Sequence, residues 1–379
     1  MADIASRVDT EALVQLYEPD MKRITLGKER QSAVWRGETH DKPPVVLIAP
    51  LSAAQQRIPD PDFAAAFADI TFMICGELRK ACGIANSCSD GVPSVRGNYG
   101  TGQLLSCLGL EQRVFPDKMP WLKEHLTREQ LARLTPGDIR VQGTFERGLE
   151  FMRRHRELFG DKLPLLCMDT QGPLDLLHLL LGDDIFYLFY DDPSLVRHGL
   201  DICLELGIRG HELMKEISGE AANECHHMQG FYSPTTGIRI CEDTTAIVGP
   251  DIIEQFAVPY ACRLAEHFGG AWVHYCGRSD ALTEAVCAEP VLKGLNFGHI
   301  PGHEHDHVFE EDMHRCRDSG TVYFGAWPRR PGENGKAYLR RLHEWASQGV
   351  LIPLANPALQ GEDAIPSIDQ ALDFWYSLD

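Results

Sequence analysis

His274 and Cys276 stand two residues apart at the end of a short apolar run, Ala271-Trp272-Val273-His274-Tyr275-Cys276-Gly277. Successive side chains of a strand point to opposite faces, so His274 and Cys276 project together and Tyr275 points away. Their Cα atoms lie roughly 6.6 Å apart, twice the rise per residue. An imidazole nitrogen and a thiolate sulfur at that spacing can reach one ion at about 2.0 and 2.3 Å, the distances zinc takes. The competing reading is a buried thiol acting as a small hydrophobe beside a hydrogen-bonded core histidine.

Other residues of chemical interest close other apolar runs. Glu242 ends Gly237–Glu242 (GIRICE), the run that precedes His274 in the chain. In a parallel barrel the two strands would be neighbours at roughly 4.8 Å. Glu242 could then be a third ligand, an orienter of His274, or a simple cap on the turn that follows. Asn98, Asp169, Trp327 and Asn356 occupy comparable ends, where Asn98 and Asp169 would orient a substrate. A second histidine group follows the run ending at Phe297: His299, His303, His305 and His307. A Pro/Gly-rich loop with alternating histidines fits either metal binding or a solvated surface. His226-His227 reads as a loop that lines a pocket or faces solvent, and Cys316 as a structural thiol inside a helix.

Eight apolar runs would position these residues: Val45–Ala49, Val92–Tyr99, Leu163–Met168, Gly237–Glu242, Ala271–Gly277, Val291–Phe297, Thr321–Trp327 and Val350–Ala355. Helical periodicity separates them, over Phe63–Ala85, Ser194–Ser218, Pro250–Phe268, Phe309–Arg317 and Lys336–Gln348. Runs buried on both faces that alternate with helices predict an α/β protein, a (β/α)8 TIM barrel with an N-terminal helical extension. Residues 1–40 form the extension, a lid or a cap with a helical pattern over Thr10–Thr39, and residues 41–379 form the barrel. The stretch from Gly100 to about Gly160 reads as mostly helical, with Pro116–Thr127 as an exposed insertion. In such a barrel chemistry gathers on the rim at the C-terminal strand ends.

Composition narrows the function. A net charge of −19 without a basic stripe argues against nucleic acid as a partner. Twelve cysteines in 379 residues, none in a CxxC pair, suit a reduced compartment. The N-terminus lacks the apolar core of a signal peptide, and no segment has the roughly 18 apolar residues of a membrane span. A soluble cytoplasmic protein is expected.

Three stretches together resemble the uroporphyrinogen decarboxylase superfamily: Lys28–Val45 (KERQSAVWRGETHDKPPV), Gly172–Val196 (GPLDLLHLLLGDDIFYLFYDDPSLV) and Ile240–Gly277, which ends in HYCG. The likeness runs from about Lys28 to Leu378 and is nearest to the corrinoid-dependent methyltransferases. It implies a (β/α)8 barrel in which His274 and Cys276 bind zinc. It further implies a methylated corrinoid as co-substrate, a small-molecule thiol as methyl acceptor and a corrinoid protein as partner, and it is compatible with a homodimer. The arginine-rich N-terminal signature of the decarboxylases has no counterpart. The late Gly-Cys-Gly of the thiol methyltransferases is replaced by Leu351–Pro357 (LIPLANP). The third ligand would then come from Glu242, His299, His303 or Asn356, with Glu242 as ligand or base. A tetrapyrrole-type lyase and a non-catalytic corrinoid-pathway binding protein are the alternatives.

Overall fold

The computed structural model describes residues 8–115, 118–227, 229–300, 302–303, 306–358 and 364–378. Five of the expected runs form one parallel sheet in chain order: β1 (Ile238–Cys241), β2 (Ala271–Cys276), β3 (Leu292–Gly298), β4 (Val322–Ala326) and β5 (Leu351–Leu354). The other three are extended segments that complete the ring through single bridges. Val46 pairs with Leu354 of β5, and Val95 pairs with Leu165. The Asp90 amide donates to Val45 O at 2.9 Å, and the Gly172 amide donates to Cys241 O at 2.7 Å. These bonds link the first segment to the second and the third to β1, so the sheet closes on itself as a (β/α)8 barrel.

The three segments lack regular ladders for a local reason. Side chains take the amides that backbone carbonyls would otherwise take: Asp90 Oδ2 accepts from Val45 N–H at 3.0 Å and Ser89 Oγ from Leu47 N–H at 3.1 Å. Pro93 and Pro164 interrupt the other two, since proline has no N–H to donate. Helices cover the outside and bury the outward residues of each strand, such as Ile238, Ile240, Val273 and Tyr275. The longest, Pro193–Ser218, shows why a helix forms there: Pro193 sits in its first turn, Asp192 caps Leu195 N–H, and Gly219 ends it at φ 76. Among the described residues no helix is long and apolar enough to cross a membrane.

The N-terminal extension plugs the end of the barrel opposite the strand C-termini. It forms two helices, Thr10–Gln15 and Met21–Arg36, rather than the continuous one expected, because Pro19 interrupts the run and Asp20 caps a new start. Trp35 packs with Val34, Phe231, Trp272 and Phe324, and a Cβ on Gly294 would lie 2.6 Å from its ring. The same plug uses an antiparallel hairpin, Cys225–His227 with Phe231–Ser233, where a loop was expected. Gln31 fastens helix to hairpin: its Nε2 donates to Asp90 O at 2.7 Å and Gly230 O at 3.0 Å, and its Oε1 accepts from Tyr232 N–H at 2.8 Å. The stretch read as mostly helical also contains a two-stranded ribbon, Gln112–Arg113 with Trp121–Leu122.

Two buried histidines give the fold an acid sensitivity. His155 donates to Leu163 O at 2.9 Å between Phe151 and Phe159, and His211 bonds Gly207 O at 2.7 Å and Thr170 Oγ1 at 2.9 Å. Burial pushes both imidazoles down to about 4. Both stay neutral in the fold, whereas the unfolded chain gains protons below about 6.5. Their stabilising contribution is complete above that pH and falls as pH drops toward 4, by about 2 kcal/mol each at pH 5. The urea midpoint should therefore fall between pH 7 and pH 5, and His155→Phe should fall less. Equal midpoints at the two pH values would refute this.

Candidate metal centre

The register of the barrel places Cys241, His274 and Asn296 side by side on β1, β2 and β3. Alternation then separates two faces of each strand. Ile238 and Ile240 face the helices, so Arg239 and Cys241 face the barrel interior. On β2 the interior set is Trp272, His274 and Cys276. A Cys241 sulfur, an Asp243 carboxylate oxygen and a His274 nitrogen lie within 4.8 Å of one another and could hold a metal ion. Cys276 Sγ lies 3.6 Å from His274 Nε2. Bonds of about 2.0 Å to nitrogen and 2.3 Å to sulfur at a tetrahedral angle set those atoms about 3.5 Å apart, so the pair fits one zinc ion. Two thiols, an imidazole and a carboxylate are also the donor chemistry zinc selects.

The imidazole is held in one orientation. Asn296 Nδ2 donates to Phe324 O at 2.7 Å, which turns its Oδ1 to His274 Nδ1 at 2.7 Å. Oδ1 can only accept, so Nδ1 carries the proton and Nε2 keeps a lone pair toward Cys276. Two glycines make room for this arrangement. A Cβ on Gly325, whose φ is +122, would overlap Asn296 Nδ2, and a Cβ on Gly298 would overlap Cys276 Sγ. Asp243 Oδ1 accepts from the Cys276 amide at 2.6 Å and so ties the end of β1 to the end of β2.

Electrostatics set the resting protonation. Burial, and then Arg239, push His274 down to about 4, so the ring is neutral and can donate its lone pair. Burial, followed by Asp243, pushes the Cys276 thiol up to about 12, and burial drives Cys241 well above the usual thiol range. Without a cation both stay protonated, and a bound cation would displace both protons. Asp169 lies in the same interior between Arg239 and Arg96, with Arg96 Nη2 3.1 Å from its Oδ2. Burial raises its pKa, but the two guanidinium groups outweigh that and hold it well below the usual carboxylate range.

The other residues singled out in the sequence divide clearly. Glu242 sits on the helix face of its strand, away from Cys241 and Asp243. Its oxygens accept from Leu174 N–H at 3.3 Å and Asp175 N–H at 3.0 Å, at the start of the helix Pro173–Leu181. Asp175 reciprocates by accepting from the amides of Asp243 and Thr244, both at 2.8 Å. Burial and then Asp175 drive Glu242 well above the usual range, which keeps it neutral. Glu242→Ala should lower stability by about 1–3 kcal/mol, because two buried amides lose their acceptor, and leave zinc content unchanged. A fall in zinc content measured by atomic emission would contradict that placement.

Asn98 lies apart from the metal cluster, against a cavity of about 380 Å³ that Phe63, Met73 and Arg79 also line. His299 contacts Ala326 O at 3.2 Å and, with Ile48, Trp327 and Asn356, lines a rim cavity of about 450 Å³. His303 is exposed and pairs with Asp306 at 3.2 Å. His305 lies outside the described residues. His307 is structural, stacked on Phe297 with its Nε2 on Gly277 O at 2.7 Å. His227 is enclosed in the barrel between Trp272 and Phe324, and His226 is held by Glu220 at 2.9 Å. Cys316 is buried within the helix Phe309–Ser319, as expected.

Cys241 and Asp243 are the cluster members that the sequence reading passed over. The available signal was the alternation in Arg239-Ile240-Cys241-Glu242-Asp243, which puts every second residue on the His274 face.

No protein-family model matches the chain, and no curated protein matches it. Among solved structures its fold is similar to that of a methyltransferase from Methanosarcina mazei, with a TM-score of 0.63 and 17% identity over 92% of this chain and 98% of that one. A B12-independent methionine synthase from Shewanella sp. W3-18-1, in complex with selenomethionine, overlays with a TM-score of 0.44 and 10% identity over 89% and 97% of the two chains. The first likeness extends to the whole barrel; the second is too distant to bear on it.

Proposed function

We propose that the chain is a zinc-dependent methyltransferase of the uroporphyrinogen decarboxylase superfamily that moves a methyl group between a corrinoid and a thiol. The observation that carries this reading is that donor atoms of Cys241, Asp243 and His274 lie within 4.8 Å of one another on the inward face of the barrel, with Cys276 Sγ 3.6 Å from His274 Nε2. The sequence resemblance and the methyltransferase of similar fold support the same reaction class. The ion would be held by Cys241, Asp243 and His274, with Cys276 beside His274 as a further sulfur donor. Zinc at that position would supply Lewis acidity, lowering the pKa of a substrate thiol so that it reacts as thiolate.

The chain's own residues do the rest. Asn296 fixes the His274 tautomer, so its Nε2 lone pair is always available. Asp243, anchored on the Cys276 amide, holds the ends of β1 and β2 together around the donors, and the proton the thiol releases passes to solvent. A methylated corrinoid would supply the methyl group: attack of the thiolate on its methyl carbon would form the carbon–sulfur bond, and the cobalt–carbon electron pair would leave with the corrinoid. The rim cavity, walled by Ile48, Trp327 and Pro357, offers an apolar surface to a macrocycle carried by a corrinoid protein.

Anaerobic incubation with methylcobalamin and a panel of thiols tests this. The corrinoid spectrum should change from the methyl-Co(III) to the Co(I) form at a rate that depends on zinc. Release of carbon dioxide from a porphyrinogen without that change would favour the lyase instead.

A further inference from the structure

Arg96 and Arg239 face one carboxylate inside the barrel. Arg96 Nη2 approaches Asp169 Oδ2 at 3.1 Å and Arg239 Nη1 bonds Asp169 Oδ1. Asp169 is the acidic partner of both, and Arg239 Nε is buried with no hydrogen-bond partner. Each guanidinium carries five N–H donors, whereas one carboxylate offers about four acceptor positions. The triad therefore holds one positive charge and several donors in excess, in an interior where an uncompensated charge is costly. Arg96 and Arg239 keep 13% and 18% of their side-chain surface open, so solvent reaches them although both lie on barrel strands. Arg278, also basic and near the rim, is committed elsewhere, to Asp280 at 2.9 Å and Asp306 O at 2.8 Å.

Position relates this triad to the metal donors. Arg239 precedes Cys241 by two residues on the same face of β1 and is in register with Trp272, two residues before His274. The guanidinium groups and the metal donors therefore share one interior face, with the Cα atoms of Arg239 and Cys241 roughly 6.6 Å apart. The guanidinium fork suits a planar carboxylate, which it can bind through two parallel N–H bonds.

We propose that Arg96 and Arg239 form a carboxylate-recognition site, so the methyl acceptor is a short thiol that carries a carboxylate. The acceptor half of this statement rests on the thiol methyltransferase reading; the anion site does not. The competing role for the second arginine is to offset the negative charge of the thiolates and Asp243, and it predicts no preference among ligands.

Calorimetric titration of the zinc-loaded protein with 3-mercaptopropionate and with 3-mercaptopropionamide separates the two. The acid should bind at least about tenfold more tightly than the amide, the scale of one charge-assisted pair. Arg96→Met and Arg239→Met should each reduce that preference to about twofold or less while zinc content stays stoichiometric. Equal affinity for acid and amide in the wild-type protein overturns the proposal whether or not the variants fold. Propionate and propionamide, which lack sulfur, keep the anion site testable by itself. Propionate binding that the arginine variants abolish, with neither thiol bound in a zinc-dependent way, would uphold the anion site and remove the thiol reading. Propionate and propionamide bound alike, or neither bound, would overturn the anion site.

Discussion

Alanine at position 274 is expected to reduce bound zinc from about one ion per chain to less than about a tenth of that, because a three-ligand site loses its only nitrogen donor. Structural zinc sites derive their affinity from a complete donor set. Removing the imidazole also leaves two thiols with no reason to ionise, since burial holds Cys276 at about 12 and Cys241 well above the ordinary range. Cys241→Ser and Cys276→Ser should behave alike, with loss of metal and of methyl transfer together. Asp243→Asn should also lower zinc content, though less, since an amide still accepts the Cys276 N–H but is a weaker metal donor than a carboxylate. Atomic emission on protein prepared with excess zinc and then desalted reads all four. Full zinc content in Cys241→Ser would remove that residue from the ligand set, and absence of zinc from the wild-type protein would sink the centre altogether.

Cys241 shows what the sequence made legible and what it did not. The barrel could be read because its strands are buried on both faces and so appear as apolar runs, such as Leu163–Met168, between helical periods. All eight runs occupy the ring. The hairpin at Cys225–Ser233 was missed because its strands have three residues each, too few for a period. The closeness of His274 and Cys276, Nε2 to Sγ 3.6 Å, could be read because both sit on one strand. Glu242 was harder. As the acidic end of a neighbouring strand it satisfied every local criterion for a ligand, and its true partners, the amides of Leu174 and Asp175, are more than sixty residues away. Parity against Ile238 and Ile240 would have placed it outward, but parity needs a fixed strand face, and only the packed helices fix that face.

Alanine at Gly325 should weaken zinc binding by about 10- to 100-fold, the range found when an outer partner of a metal-binding histidine is lost. The reason is steric and conformational at once. Gly325 has φ +122, a region that side-chain-bearing residues avoid, and a Cβ there would overlap Asn296 Nδ2. Asn296 would have to move, breaking its bond to Phe324 O and with it the one to His274 Nδ1. The ring could then rotate or take the other tautomer, and Nε2 would no longer be held toward Cys276. Asn296→Ala removes the same support directly and should cost a similar factor. Two changes that act through one bond are not additive, so Gly325→Ala combined with Asn296→Ala should weaken zinc little more than either alone. The double variant should also recover part of the stability lost in Gly325→Ala, because the shortened side chain relieves the overlap but not the backbone strain. Competition with a chromophoric chelator measures the affinities and thermal unfolding the stabilities. Affinity losses that multiply in the double variant would show that Gly325 acts on the metal by some route other than Asn296.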